Sequence, residues 1–341
     1  MTESLSATEP ALASTSAYLV EPLPELWFGL VVATFGVYLL LDGFDFGVGV
    51  LFAEADETER RRFLAAFGPL WKANEVWLVL FGTVLFAGFP AAYAAILGRY
   101  YLAVFALLLA LGLRGLGSKF RGERDDERWV RFWDRCFVVG SAAAPFLLGA
   151  FAASWALGEP SVVAVVPLLA GAATVALVTA LGAAFLCAKL ESPIRERLVR
   201  RGRAATAAYA ALGTVTLVAS VIRYPALRSE IQSVPMGGLC IGTIACAGVA
   251  VAAATGNRYR SFAVATAGLA VAFAAFIGVL LYPAIDPATG TTVADAVAAP
   301  LSLNLTTGFA VVFLPLIGSY FVVLYSLFDD PASDSGQYQH G

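Results

Sequence analysis

Nine long apolar runs dominate this sequence, at about 26–53, 74–97, 99–119, 134–157, 162–189, 204–223, 236–255, 260–283 and 301–328. Each holds about 20 residues or more, the length a helix needs to cross a hydrocarbon core about 30 Å thick. Backbone in lipid must satisfy its own hydrogen bonds, so such runs fold as helices. Composition agrees: 59% of the 341 residues are hydrophobic and 14% are charged, against about 25% charged in a soluble domain. The expected fold class is an all-α polytopic membrane protein with nine transmembrane helices. The membrane domain is expected over 26–328, between an acidic tail (1–25) and a polar tail (329–341), both read as disordered. The first tail carries Glu3, Glu9, Glu21 and Glu25 but no Lys or Arg, so it does not read as a secretory signal.

Orientation follows from the basic residues. With the N-terminus outside, all 22 Lys and Arg residues except Arg99, Arg223 and Arg228 fall in the inner connections or at the inner helix ends. Positive charge is retained on the cytoplasmic side, so the pattern predicts N-out, C-in. These basic clusters belong to membrane loops and do not point to nucleic acid. The connection Leu97-Gly98-Arg99 predicts a tight hairpin between the second and third runs. Phe63-Leu64-x-x-Phe67 predicts a short amphipathic helix at the inner surface. Trp129 and Trp133 sit where interfacial aromatics are expected.

Charged residues inside the runs are few. Asp42 and Asp45 lie in the first, three apart and so on one helix face. A carboxylate at mid-membrane costs about 2.5–3.5 kcal/mol on insertion scales, and such residues usually face the bundle interior and mark function. Gly36, Gly43 and Gly47 form a neighbouring strip of small residues that lets a second helix come close. Asp42 lies about 24 Å along the first helix from Leu26, in the inner half of the membrane. The second run starts inward with Lys72, Asn74 and Glu75, the third ends inward at Arg114, and the fourth begins inward at Asp134. These seven polar residues share one depth and predict a single ionic cluster facing the cytoplasm. Two readings stay open: Arg114 and Lys72 neutralise the acids as glue, or the carboxylates pass protons inward.

Scarcity narrows the chemistry. The only histidine is His340, on the polar tail, and methionine occurs only as Met1 and Met236. Haem iron in electron-transfer proteins is usually held by His, Met or Cys. Cys136, Cys187, Cys240 and Cys246 are scattered and show no metal or redox spacing. No metal site, no bound cofactor and no catalytic residue are expected of this chain alone.

The motifs Asp42-Gly-Phe-Asp45-Phe-Gly-Val-Gly49, Gly68-Pro-Leu-Trp71-Lys-Ala-Asn74-Glu-Val-Trp77-Leu and Phe86-Ala-Gly-Phe-Pro90-Ala-Ala-Tyr93-Ala carry a resemblance, with Leu113-Arg114-Gly, Trp133-Asp134, Gly140-Ser141 and Leu303-Asn304. The chain resembles subunit II of the cytochrome bd-type quinol oxidases from about Leu26 to Phe328. The resemblance implies two four-helix bundles plus one peripheral helix, in the plasma membrane. It implies a partner, subunit I, which carries haems b and d and the quinol site of an oxidase that reduces dioxygen to water. It also leaves room for a structural quinone and a small third subunit. The family commonly reads Trp-Asp-Gly-Asn where this chain has Trp71-Lys72-Ala73-Asn74, so Lys72 reverses a charge on the implied proton path. Proton entry would then rest on Asp42, Asp45 and Glu75. Two other function classes are a secondary transporter and a purely structural assembly subunit. A transporter would show broken helices in matching halves, and Pro145, Pro167, Pro235 and Pro315 do not fall that way.

Overall fold

A computed structural model describes residues 17–68, 70–191 and 193–327. Of the expected tails, residues 1–16 and all of 329–341 lie outside the described residues, as does Phe328 at the end of the expected membrane domain. Residues 17–25 were expected in the first tail, yet the first helix already begins at Leu23 and the Leu19 amide donates to Asn304 Oδ1 at 2.9 Å.

The chain is helical over most of each run. Helix α1 (Leu23–Leu51) starts with proline in its first turn, where the missing N–H costs nothing. It is followed by α2 (Glu57–Phe67), α3 (Trp71–Gly88), α4 (Pro90–Arg99), α5 (Tyr101–Phe120), α6 (Glu127–Leu157), α7 (Val165–Lys189) and α8 (Ile194–Arg223). Then come α9 (Leu227–Ile231), α10 (Val234–Thr255) and α11 (Tyr259–Leu281). A small hairpin of β1 (Ala284–Asp286) and β2 (Thr291–Thr292), the single turn α12 (Val293–Ala296) and α13 (Pro300–Leu327) complete the order.

Helix α1 is the axis of the molecule and packs on α3, α6, α7 and α11. Helices α5 and α6 pair beside it, while α7, α8, α10 and α11 pack among themselves; α13 lies against α3 with most of its surface exposed. The core is aromatic and aliphatic, with Tyr38, Leu39, Phe46, Phe89 and Leu177 fully buried.

Among the described residues, eight helices are each long and apolar enough to cross a membrane, and a ninth crossing counts only if α2 and α3, bent where they meet, are taken together. The difference from the expected nine lies in the second run. Its helix stops at Gly88 because Pro90 has no N–H to continue the ladder, and Phe89 turns out of it (φ −139°, ψ 63°). The tight hairpin expected at Leu97–Arg99 is therefore replaced by α4. Both ends of α4 meet the same loop: Gly88 O accepts from Ala298 N at 2.8 Å, and Arg99 pairs with Asp286 at 2.7 Å. Two other helices overrun their apolar segments. The 31 residues of α6 span about 46 Å, so the first turns, with Trp129 and Trp133, extend beyond the hydrocarbon. Gly158 ends α6 in the left-handed conformation (φ +63°) that closes helices without a Cβ clash.

The expected amphipathic helix is α2. Asp56 and Glu59 form a capping box at its start, and Phe63 and Phe67 are buried against Phe52 and Phe137.

The loop opposite the basic end is braced by Asp286. Arg99 donates to both its oxygens, at 2.7 and 2.9 Å, and Thr289 adds a third bond. Burial opposes ionisation of Asp286, but the hydrogen bonds from Arg99 and Thr289 outweigh it and hold the carboxyl below the usual carboxylate range. This brace is fully present above the ordinary Asp value of about 3.9 and is lost as pH falls through the lower folded value. Thermal unfolding of wild type and Asp286→Asn in detergent should therefore diverge near neutral pH and converge under acid. Parallel curves at every pH would refute the assignment.

Candidate functional site

Helices α1, α3 and α5 meet at Arg114, and α13 reaches the cluster through Tyr325. Asp42 and Asp45 are fully buried on α1, one turn apart, and Arg114 reaches them from α5 with 1% of its side chain exposed. Arg114 Nη1 donates to Asp42 Oδ1 at 2.8 Å. Its Nη2 lies 3.7 Å from Asp45 Oδ2, and Nη1 lies 3.6 Å from Glu75 Oε1. The guanidinium rests on aromatic faces, 4.5 Å from the Phe46 ring centroid and 5.8 Å from Trp71, which favours a desolvated cation.

The first turn of α3 supplies Asn74 and Glu75. Asn74 is fully buried. Its Nδ2 donates to Asp45 Oδ2 at 2.9 Å and to Leu41 O at 3.2 Å. Its Oδ1 accepts from the Tyr325 hydroxyl of α13 at 3.0 Å. Glu75 lies at the edge of the cluster, with 34% of its side chain exposed.

The charges do not close. One guanidinium faces three carboxyl groups, so the site is neutral only when protons reside on two of them. The hydrogen bonds do not close either. Tyr38 Oη, Asp42 Oδ2, Asp45 Oδ1, and Arg114 Nε and Nη2 are buried without a hydrogen-bond partner among the described residues. Buried polar atoms are normally paired, and unmet ones call for protons or water.

Asp134 departs from the single cluster expected. It forms a second one, accepting from Arg60 Nη1 at 2.9 Å and Arg121 Nε at 2.6 Å, while Arg121 also holds Glu57 at 2.6 Å. Both guanidinium groups lie over Phe52, at 5.1 and 5.9 Å. Arg61 adds a longer contact to Glu57 at 3.7 Å, so here the cations outnumber the anions and the acids are fully neutralised, as in a brace. Counting along the runs did not say which partners Asp134 would meet. Lys72 also departs from the expected arrangement. It is exposed on the opposite side of the first turn of α3 and forms no ion pair with a described residue, so Arg114 alone neutralises the acids. Tyr325, Tyr38 and the Phe46–Trp71 shelf were not anticipated. Tyr38 stands one turn before Asp42 and was open to the same periodicity argument; nothing in the sequence ties Tyr325 to Asn74.

Gly36, Gly43 and Gly47 all face other helices, as expected of the strip. Beside the cluster, a groove of about 510 Å³ runs between α1, α7, α11 and α13, lined by Leu41, Phe44, Phe185 and Tyr325, with Lys189 at its basic end.

The family model described as "Cytochrome bd terminal oxidase subunit II" matches residues 23–328. Among curated proteins, the chain is 43% identical over 140 residues to "Cytochrome bd ubiquinol oxidase subunit 2" of Bacillus subtilis, covering 40% of this chain and 41% of that protein. It is 36% identical over 131 residues to "Cytochrome bd-I ubiquinol oxidase subunit 2" of Escherichia coli K12, covering 38% of this chain and 35% of that protein. These matches span less than half the length of either relative. The fold is shared with a chain of the bd oxidase from Geobacillus thermodenitrificans, with a TM-score of 0.74 at 17% identity, over 89% of this chain and 98% of that one. The chain is thus a multi-pass protein of the cell membrane and belongs to the cytochrome bd terminal oxidase subunit II family.

Proposed function

We propose that this chain is the haem-free second subunit of a bd-type quinol:oxygen oxidoreductase, a membrane scaffold for haem-bearing subunit I. Its residues do not fit a haem. There is no His among the described residues, and no three His, Cys, Asp or Glu side chains are grouped to hold a metal ion. The redox chemistry belongs to subunit I, whose haems pass electrons from quinol to dioxygen.

Protons are this chain's own part. Dioxygen reduction consumes protons, and the Arg114 cluster is built to hold and exchange them. The observation that carries this is the mismatch of one buried guanidinium against three carboxyl groups, with Glu75 open at the edge. Arg114 fixes Asp42 in place and Asn74 fixes Asp45. Each acid keeps one unpaired oxygen, Asp42 Oδ2 and Asp45 Oδ1, where a proton can reside. With the basic end in the cytoplasm, Glu75 is the point of entry. Lys72, exposed and outside the cluster, leaves the route intact despite its reversed charge.

In the intact complex in vesicles, Asp45→Asn is expected to retain its haem spectrum and lose proton uptake and turnover by about tenfold or more, within the range typical of lost acid–base groups. Wild-type turnover and gradient in this variant would refute a proton role. A colourless chain that purifies without a second membrane protein and accumulates a solute would point to transport instead.

A further inference from the structure

We propose that Tyr325, at the end of α13, is a positioning residue for Asp45. It holds the Asn74 amide in one orientation and so assigns the proton of Asp45 to Oδ1. This rests on the proton-handling reading of the Arg114 cluster.

An amide can face two ways, and its neighbours decide which. The Leu41 carbonyl can only accept a hydrogen bond, so at 3.2 Å it requires Asn74 Nδ2 on its side. The amide oxygen then points away and needs a donor, which the Tyr325 hydroxyl supplies at 3.0 Å. Both Nδ2 hydrogens are thereby used, one on Leu41 O and one on Asp45 Oδ2 at 2.9 Å, and Oδ1 has its donor in Tyr325. An oxygen that accepts this bond is not the one that carries the proton. Asp45 Oδ1, buried and without a partner, is left for it.

Phenylalanine in place of Tyr325 leaves the amide oxygen buried without a donor. A protonated Asp45, already 2.9 Å from the amide, is a donor placed to take over that role. The amide then gains by turning its oxygen to Asp45, at the expense of the Leu41 contact, and the proton is held on Oδ2 instead of Oδ1. The tyrosine ring is not what sets this. It packs edge-on against Phe44 at 6.5 Å, and the neighbouring Phe321 stacks near Trp77 at 5.4 Å. Those contacts anchor the helix end and survive in the phenylalanine variant.

The test uses the assembled, haem-containing complex. Infrared difference spectra identify the protonated carboxyl band of Asp45 by its loss in Asp45→Asn. Tyr325→Phe is expected to keep wild-type haem content, shift that band, and slow proton uptake by about fivefold, the factor one ordinary hydrogen bond contributes. In an Asn74→Leu background the same substitution should have no further effect, because the amide it positions is gone. An unshifted band overturns the positioning role, as does loss of haem content, which would make Tyr325 a structural pin. If Asp45→Asn removes no band and costs no turnover, the proton reading fails and this inference falls with it. If Asp45→Asn does both while Tyr325→Phe is silent, only the positioning role fails.

Discussion

Replacing Arg114 with glutamine is expected to abolish accumulation of the assembled complex. Three carboxyl groups then share a buried pocket with no cation, and removing one partner of a buried ion pair costs about 3–5 kcal/mol. That is comparable to the whole stability of many domains. Asp42 suffers most, since its Oδ1 loses the 2.8 Å bond from Nη1. Arg114→Lys is expected to recover only part of the loss. An ammonium is a point charge, and it cannot lie flat on Phe46 at 4.5 Å while reaching both aspartates. The compensating change is on the acids. Adding Asp42→Asn to Arg114→Gln removes the charge left behind and should restore a measurable fraction of assembled complex. Haem content per milligram of membrane and thermal stability in detergent read both effects. Normal accumulation of the glutamine variant would mean that the acids are already neutral without Arg114, and the charge argument would fail.

How much of this site is legible in sequence depends on the coordinate asked for. Depth in the membrane comes from counting residues along each apolar run, and it placed Asp42, Asp45, Asn74, Glu75 and Arg114 at one level. The structure brings these five together. Azimuth around each helix is not given by counting across different helices. The same count put Asp134 and Lys72 at that level, yet one is clamped by Arg60 and Arg121 and the other is exposed. Hydropathy also passes over local breaks. The run 74–97 is apolar on both sides of Pro90, so its total is that of a spanning helix although the backbone turns at Phe89. The reverse error shortens helices. The first ten residues of α8, IRERLVRRGR, form helix without being apolar, so an apolar window starts too late. Tyr325 was illegible for a different reason. It is 251 residues from Asn74 in sequence, and a tyrosine at the inner end of a span reads as one more interfacial aromatic.

The glycine strip on α1 was expected as one feature, and the structure grades it, which gives the second large effect. At Gly47 an added Cβ would lie 1.8 Å from the Val178 carbonyl oxygen and 2.7 Å from the Gly182 amide nitrogen of α7. The contact is mutual, since a Cβ on Gly182 would lie 2.4 Å from the Gly47 carbonyl carbon. These are backbone atoms, so no rotamer change relieves the clash and the two helices must part. Gly47→Ala is expected to cost at least the upper end of the ~1–3 kcal/mol seen for overpacking, and Gly47→Leu to prevent assembly. The neighbours should be milder. A Cβ at Gly43 meets the end of the Leu181 side chain at 3.1 Å, and one at Gly36 meets Ala274 Cβ at 3.0 Å. Gly29→Ala, with nothing within 4 Å, should be silent and serves as the control. Thermal stability and haem content should be far lowest for Gly47→Ala, intermediate for Gly36→Ala and Gly43→Ala, and unchanged for Gly29→Ala. The close contact has a consequence for chemistry too. Gly47 is two residues from Asp45, so the packing of α1 on Gly182 fixes how α1 is rotated and whether its acids face Arg114. A Gly47→Ala complex that still assembles should show disturbed proton uptake, whereas a Gly36→Ala complex, with its change further along the helix, should not. Equal stability of Gly47→Ala and Gly29→Ala would mean that α1 and α7 are not in backbone contact.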